Sequence, residues 1–285
     1  MQKPQVKMCE ECVAVGDING NTVYVFNKSG LLGKIDTSLV ISQIEVAANG
    51  AVVAVLEDNE ANYINMYSKE GTKIYSIKTT VSGDGYPLDV SISNDAAKLI
   101  ASYVYVSGED IKTNVVFYNF SEVGQNETER VVGGFNHYND TLVGDVQFLS
   151  NNIAVAVGEN VISIYKIKEY PSLEKEISID SAISRVFFSE DYIGVIVDNS
   201  GSGELYKMLV YNTSGGKVCE AEFGTQVENK SVVMNNSTAL SVYNLSGKNI
   251  ANMSFDMPAS KVIPIGTRGE YVLISAKYIQ NIKLK

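Results

Sequence analysis

The chain has 285 residues, a net charge of −10, 45% apolar and 20% charged residues, and only five prolines. That balance argues against disorder. The acidity, with no cluster of Lys and Arg to offset it, argues against nucleic acid and anionic membrane as partners. No apolar run approaches the roughly 18 residues of a membrane-spanning helix, and Met1-Gln2-Lys3-Pro4 lacks the apolar core of a signal peptide. The expectation is a cytoplasmic protein or the soluble part of a longer one.

One phrase recurs along the chain: an alternating apolar strand ending in an aromatic, then a polar turn with a late glycine. Val25-Phe26-Asn27-Lys28-Ser29-Gly30, Met66-Tyr67-Ser68-Lys69-Glu70-Gly71, Val210-Tyr211-Asn212-Thr213-Ser214-Gly215 and Val242-Tyr243-Asn244-Leu245-Ser246-Gly247 are its clearest copies. With Tyr118, Tyr165 and Ile282 as looser anchors, the steps from Phe26 are 41, 51, 47, 46, 32 and 39 residues. A period near forty with four strands per unit is the signature of propeller blades. The reading is therefore a single all-β domain over residues 1–285, a seven-bladed propeller of four-stranded blades.

In chain order, blade one is expected at 5–8, 12–15, 23–26 and 31–35, with an Asn19-Gly20 hairpin turn whose two residues both take positive φ. Blade two follows at 44–46, 51–56, 63–67 and 73–77. Blade three takes 88–92, 98–106, 114–119 and 130–132, with inserts at Ser107-Gly108-Glu109-Asp110 and at 121–129. Blade four takes 143–149, 153–157, 161–167 and 173–179. Blade five takes 183–188, 192–197, 205–211 and 217–223, with a Ser200-Gly201-Ser202-Gly203 turn. Blade six is compressed into 225–227, 232–234, 240–243 and 250–255; blade seven has 262–265, 271–275 and 278–282 and no fourth strand. That last blade is expected to be incomplete or closed by the N-terminus, which removes a sheet edge. No helical period persists for three turns.

Most chemistry-bearing residues read as ordinary. Cys9-Glu10-Glu11-Cys12 is a CxxC on a hairpin turn rather than at a helix start, so low-pKa redox use is not expected. A second ligand pair for zinc is missing; a cross-link in an oxidising space is the alternative to plain thiols. Asp17-Ile18-Asn19-Gly20-Asn21 begins like a calcium loop, but its glycine is two positions early and Lys28 stands where glutamate is needed. His137 is the sole histidine and shows no orienting partner or nucleophile nearby in sequence. Asn-X-Ser/Thr triplets, as at Asn126, Asn139, Asn212 and Asn252, follow from Asn- and Ser-rich turns, and the acids at Glu57-Asp58, Glu109-Asp110 and Glu190-Asp191 from solvated ones. No catalytic residue, metal or cofactor is expected.

One constellation follows from the repeat. A polar residue precedes the first apolar position of each innermost strand: Gln5, Gln43, Asp89, Asp145, Arg185, Gln226 and Lys261. Equivalent positions share one height on a propeller, so these form a ring at a channel mouth. Two uses are open: hydrogen bonds between blades, since buried polar groups need partners, or a ligand seat formed by Gln43, Asp89, Asp145, Arg185 and Lys261. Asp145 and Arg185, from adjacent blades, are the pair expected to meet.

Strands such as Ala154-Val155-Ala156-Val157, with the Tyr-Asn-x-Ser-Gly copies at Tyr211 and Tyr243, resemble the β-propeller superfamily. With no tryptophan, they do not look like the tryptophan-aspartate repeat class or quinoprotein propellers. They resemble propeller domains of anaerobic Gram-positive bacteria, which often follow a single membrane anchor. The resemblance implies an exposed cell-surface domain with an anchor upstream of this chain, and it supplies no catalytic residue. The expected function is non-enzymatic: a monomer presenting a rim or channel mouth to a protein or glycan. The alternative is a carbohydrate-active hydrolase or lyase using carboxylates at the channel mouth. Three or more converging acids would favour that alternative; an exposed apolar patch would favour binding.

Overall fold

A computed structural model describes residues 1–285 except 139–140, 199–205, 223–224, 229–230, 237–238, 245–247, 256–258, 265–268, 276–277 and 284–285. Two compact units divide the chain, Met1–Ser178 and Ile179–Lys285.

The first unit holds four antiparallel sheets, each with its strands in sequence order. Sheet 1 is β1 (Pro4–Cys9), β2 (Cys12–Asp17), β3 (Thr22–Asn27) and β4 (Gly30–Asp36). Sheet 2 is β5 (Val40–Val46), β6 (Val52–Glu57), β7 (Ala61–Tyr67) and β8 (Lys73–Thr80). Sheet 3 is β9 (Tyr86–Ile92), β10 (Lys98–Ser107), β11 (Asp110–Asn119) and β12 (Val131–Phe135). Sheet 4 is β13 (Val143–Ser150), β14 (Ile153–Gly158), β15 (Val161–Ile167) and β16 (Pro171–Ser178).

The second unit holds sheet 5, β17 (Ile183–Phe188), β18 (Tyr192–Asp198), β19 (Tyr206–Asn212) and β20 (Lys217–Glu222). Sheet 6 is β21 (Thr225–Glu228), β22 (Ser231–Asn236), β23 (Ala239–Asn244) and β24 (Asn249–Ser254). Sheet 7 has three strands among the described residues, β25 (Ala259–Pro264), β26 (Glu270–Ser275) and β27 (Ile279–Lys283). The expected turn at 200–203 lies outside the described residues.

The core is a series of apolar layers between neighbouring sheets. Val23, Ile35, Ile44 and Leu56 fill the layer between sheets 1 and 2. Ile64, Val90, Leu99 and Tyr103 fill the next, and Phe117, Val146, Phe148 and Tyr165 the third. In the second unit Leu240, Val242, Val262 and Leu273 join sheets 6 and 7. The second strands β6, β14 and β18 are buried almost without interruption and read as continuous apolar runs. Each fully buried aliphatic side chain contributes about 1.5–3 kcal/mol.

The repeated phrase has a structural meaning. In each of sheets 1 to 6 the register between third and fourth strands slips by one residue at the anchor aromatic, at Phe26, Tyr67, Tyr118, Tyr165, Tyr211 and Tyr243. The late glycines Gly30, Gly71 and Gly215 sit at φ of 118°, 95° and 79°, where a Cβ is strained. Asparagine in the phrase closes the turn: Asn27 Oδ1 accepts from Ser29 N–H at 2.8 Å, and Asn212 Oδ1 from Ser214 and Gly216 N–H at 3.0 and 2.9 Å.

Two local expectations are corrected. Between β2 and β3 the loop has four residues, and only Asn19 takes positive φ (65°). Asn19 N–H and Gly20 C=O instead bond Ile41, in sheet 2, at 2.9 Å each; that anchorage replaces the two-residue turn. The insert after β11 is not wholly irregular, because it holds one helical turn, α1 (Glu122–Gln125), and a 3-10 turn at Thr128–Arg130. Both are shorter than any periodicity can reveal.

Candidate functional site

In the first unit, β5 packs against β1 and β9, and β9 packs against β13. The first strands of neighbouring sheets therefore lie side by side and present their polar residues to one another. A register shift directly precedes the polar position in β5, β9, β13, β17 and β25, and the bulged residues are Ser42, Leu88, Gly144, Ser184 and Ser260. A bulge re-aims the side chain that follows it. Ser42 Oγ and Ser184 Oγ fasten two of these bulges, donating to Val55 C=O at 3.2 Å and Ile196 C=O at 3.0 Å.

Three of the aligned residues reach the next sheet in the same way. Gln5 Oε1 accepts from Ile44 N–H at 3.0 Å, Gln43 Nε2 donates to Leu88 C=O, and Asp89 Oδ2 accepts from Val146 N–H at 2.8 Å. Each thus ties a first strand to the first strand of the following sheet. A second rung lies two residues further along. There Lys7 Nζ pairs with Glu45, and Ser91 Oγ accepts from Phe148 N–H at 2.9 Å and from Gln147 Nε2 at 3.2 Å. Sequence reasoning missed this rung; its signal was the strand period of two, applied once more to the ring.

The two rungs bring Glu45, Asp89 and Asp145 around one cation, Lys7. Burial drives the Glu45 carboxyl up, against the pull of Lys7. Asp89 is pushed up to about 7, by burial first, with Glu45 and Asp145 adding and Val146 N–H and Lys7 opposing. Asp145 is also raised, since crowding strips water from its carboxyl, although its surface remains open. Burial pulls the Lys7 ammonium down, but Glu45, Asp89 and Asp145 outweigh it and hold its pKa above the usual lysine value. Among the described residues no three His, Cys, Asp or Glu side chains are grouped to hold a metal ion.

Asp145 and Arg185 fall in different units, and the cation that the first unit sets beside Asp145 is Lys7. Arg185 is exposed and, with Ser184, Ile196 and Tyr206, lines a cavity of about 200 Å³ in the second unit. Lys261 occupies the corresponding position of β25, opposite Ile274, and Gln226 that of β21, opposite Val233; their side chains lie outside the described residues.

Other residues singled out by sequence are placed as follows. Cys9 faces Cys12 across the Glu10-Glu11 turn, all three cysteines are thiols, and Cys12 Sγ donates to Ala48 C=O at 3.2 Å. His137 has the partner that its sequence neighbourhood did not show: its Nε2 lies 2.9 Å from Glu176 Oε2, and its ring stacks on Tyr138 at 4.3 Å. No helix among the described residues is long and apolar enough to cross a membrane.

The fold is that of β-propeller proteins. The structure of Hsv2 from Kluyvelomyces marxianus superposes with a TM-score of 0.62 at 14% identity, over 99% of this chain and 92% of that one. Sqt1 of Chaetomium thermophilum, solved bound to the N-terminus of ribosomal protein L10, gives 0.59 at 11% identity over 93% and 78%. The WD40 domain of Neurospora crassa Pan2 gives 0.54 at 10% identity over 99% and 88%. At such identities the likeness is one of fold; it extends to a tryptophan-aspartate repeat domain although this chain has no tryptophan. No curated protein matches the chain. A family model does match it, over residues 1–284, and the chain belongs to that family of unknown function, DUF5711.

Proposed function

We propose that the protein is a non-enzymatic binding module: one seven-bladed propeller domain that presents its rim to a protein or glycan partner. The observation that carries this reading is the hairpin of β10 and β11. Both strands have ten residues, against six to eight in the other strands of the first unit's sheets apart from the five-residue β12. Pairing of β10 with β9 ends at Val104↔Tyr86, whereas β10 and β11 continue to Ser107↔Asp110. On this two-stranded projection Val106 and Ile111 pair directly, 74% and 62% exposed. Exposed apolar residues set side by side on a projecting element mark an interaction surface. The resemblance to anchored propellers of Gram-positive bacteria supports placing the domain at a bacterial cell surface as a monomer, with an anchor upstream.

The test uses the full chain as bait on intact cells, beside a Val106→Asp/Ile111→Asp variant. Both side chains are exposed, so stability should change by no more than about 0.5 kcal/mol, while recovery of the captured partner should fall at least about tenfold. Equal recovery by both baits would refute the hairpin as the binding element.

A second reading, a carboxylate-dependent hydrolase or lyase, is favoured by the convergence of Glu45, Asp89 and Asp145 with raised pKa values. Against it, Glu45 is held by Lys7 and Asp89 by Val146 N–H, which leaves Asp145 as the open carboxylate. Under the binding reading, a panel of polysaccharides incubated with the protein and with Asp145→Asn yields no difference in reducing ends. Cleavage by the parent chain alone would establish the second reading instead.

A further inference from the structure

Between sheets 2 and 3, both in the first unit, lies a cavity of about 270 Å³ that neither rung of the ring touches. Its floor is the face of sheet 3 turned toward sheet 2, where Tyr103 of β10 and Tyr118 of β11 meet hydroxyl to hydroxyl at 2.8 Å. The two tyrosines are 1% and 4% exposed. A pair of phenols carries two hydroxyl protons, and the bond between them uses one. Among the described residues no acceptor takes the second proton, so it is offered to whatever fills the cavity, water or a guest.

The walls carry Ile77 of β8 on one side and Val116 of β11 on the other, with the polar Thr79 and Asn114 beside them. Asp84 and Glu129 stand at the rim, both exposed. Asp84 Oδ2 accepts from Thr80 N–H and Oγ1–H at 2.9 and 3.3 Å, which leaves its other oxygen available. Two basic residues are near, Lys78 among the lining residues and Arg130 outside them, and the cationic group of each lies over a tyrosine ring. Lys78 has its ammonium 5.9 Å from the centre of the Tyr63 ring, and Tyr63 packs into the layer between sheets 1 and 2, on the opposite face of sheet 2. Arg130 lies over the Tyr75 ring at 5.2 Å and donates to Phe120 and Ser121 C=O at 3.2 and 3.4 Å. The cavity therefore offers negative charge at its mouth, two aliphatic side chains on its walls, and a hydroxyl pair at depth.

From this arrangement we infer that the cavity is a binding site for a small protonated amine carrying a hydroxyl group. The ammonium is held by Asp84 and Glu129, the carbon body lies between Ile77 and Val116, and the hydroxyl accepts the uncommitted proton of the Tyr103–Tyr118 pair. The volume falls just below the usual range for drug-sized ligands and so selects a fragment-sized guest. The net charge of −10 assists capture of a cation. The inference stands apart from the hairpin surface, and either can fail alone.

Calorimetric titration of the full chain with three probes tests it: tyramine, phenethylamine, which lacks the hydroxyl, and para-ethylphenol, which lacks the ammonium. Tyramine should bind saturably, at least about tenfold tighter than para-ethylphenol and several-fold tighter than phenethylamine, the scale of one charge-assisted and one neutral hydrogen bond. An Asp84→Asn/Glu129→Gln variant, altered only at exposed side chains, should weaken tyramine at least about tenfold and leave para-ethylphenol unchanged. A Tyr103→Phe/Tyr118→Phe double variant, which removes both hydroxyl protons, should abolish the advantage of tyramine over phenethylamine, whereas either single variant leaves one proton to donate and should keep it. Equal affinities for the three probes, tyramine binding that the Asp84/Glu129 variant does not alter, or no saturable binding below about 10 mM would each overturn the assignment.

Discussion

Replacing Lys7 with methionine is expected to destabilise the protein by about 2–3 kcal/mol at pH 8, read as a lower midpoint in urea unfolding. Methionine keeps most of the lysine stem and removes the one cation that the described residues set among Glu45, Asp89 and Asp145. Breaking a buried ion pair from one side costs about 3–5 kcal/mol, because the remaining charge stays buried and alone. The Lys7 side chain is 34% exposed against 11% for Glu45, so the expected figure lies below that range. The loss should shrink at pH 5, because Asp89, pushed up to about 7, then holds a proton and no longer needs the ammonium, and the carboxyls of Glu45 and Asp145 are raised in the same direction. A loss that is the same at both pH values would mean that packing, not charge, is what Lys7 contributes.

Asp89→Asn is expected to act in the other direction. Burial pushes Asp89 up to about 7 in the folded protein, from the ordinary value of 3.8 that it has when unfolded. Between those values the folded state binds the extra proton, so stability from this group is greatest below about 4 and is lost as pH rises through 7. Asparagine retains an oxygen that can accept from Val146 N–H and never ionises. The variant should therefore gain on the order of 2 kcal/mol over the parent at pH 8 and lose part of the parent's decline between pH 4 and 8. Glu45 and Asp145 contribute declines of the same sign, so the curve flattens without becoming level. An unchanged pH profile would show that Asp89 is ionised throughout and well solvated.

Much of the architecture was legible because the turns are chemically particular. A positive φ after Phe26, Tyr67 and Tyr211 calls for glycine, and an asparagine oxygen closes the turn at Asn27 and Asn212, so Gly30, Gly71 and Gly215 mark in sequence the turn from third to fourth strand. The aligned polar residues were legible because Gln43, Asp89 and Asp145 each stand directly before an apolar position of the first strand, Ile44, Val90 and Val146. What escaped depends on which strand lies opposite. Lys7 and Glu45 read as solvent-facing members of alternating strands until β5 is laid beside β1. His137 and Glu176 are 39 residues apart, and Tyr103 and Tyr118 meet only through the register of β10 with β11. The Asn19-Gly20 turn misled because its polar backbone groups are committed to Ile41 of the next sheet, a demand that local turn chemistry does not contain.

The most direct measurement is a double-mutant cycle on Lys7→Met and Glu45→Gln by urea unfolding at pH 7. If the inner-strand carboxylates serve to tie one sheet to the next, Glu45→Gln in the Lys7→Met background should restore most of the lost stability. The coupling energy should then be about 2 kcal/mol, well above the few tenths expected of independent sites. Losses that add to within about 0.5 kcal/mol would contradict the account, because they would mean that Lys7 and Glu45 do not depend on each other and that the acids are free for other work.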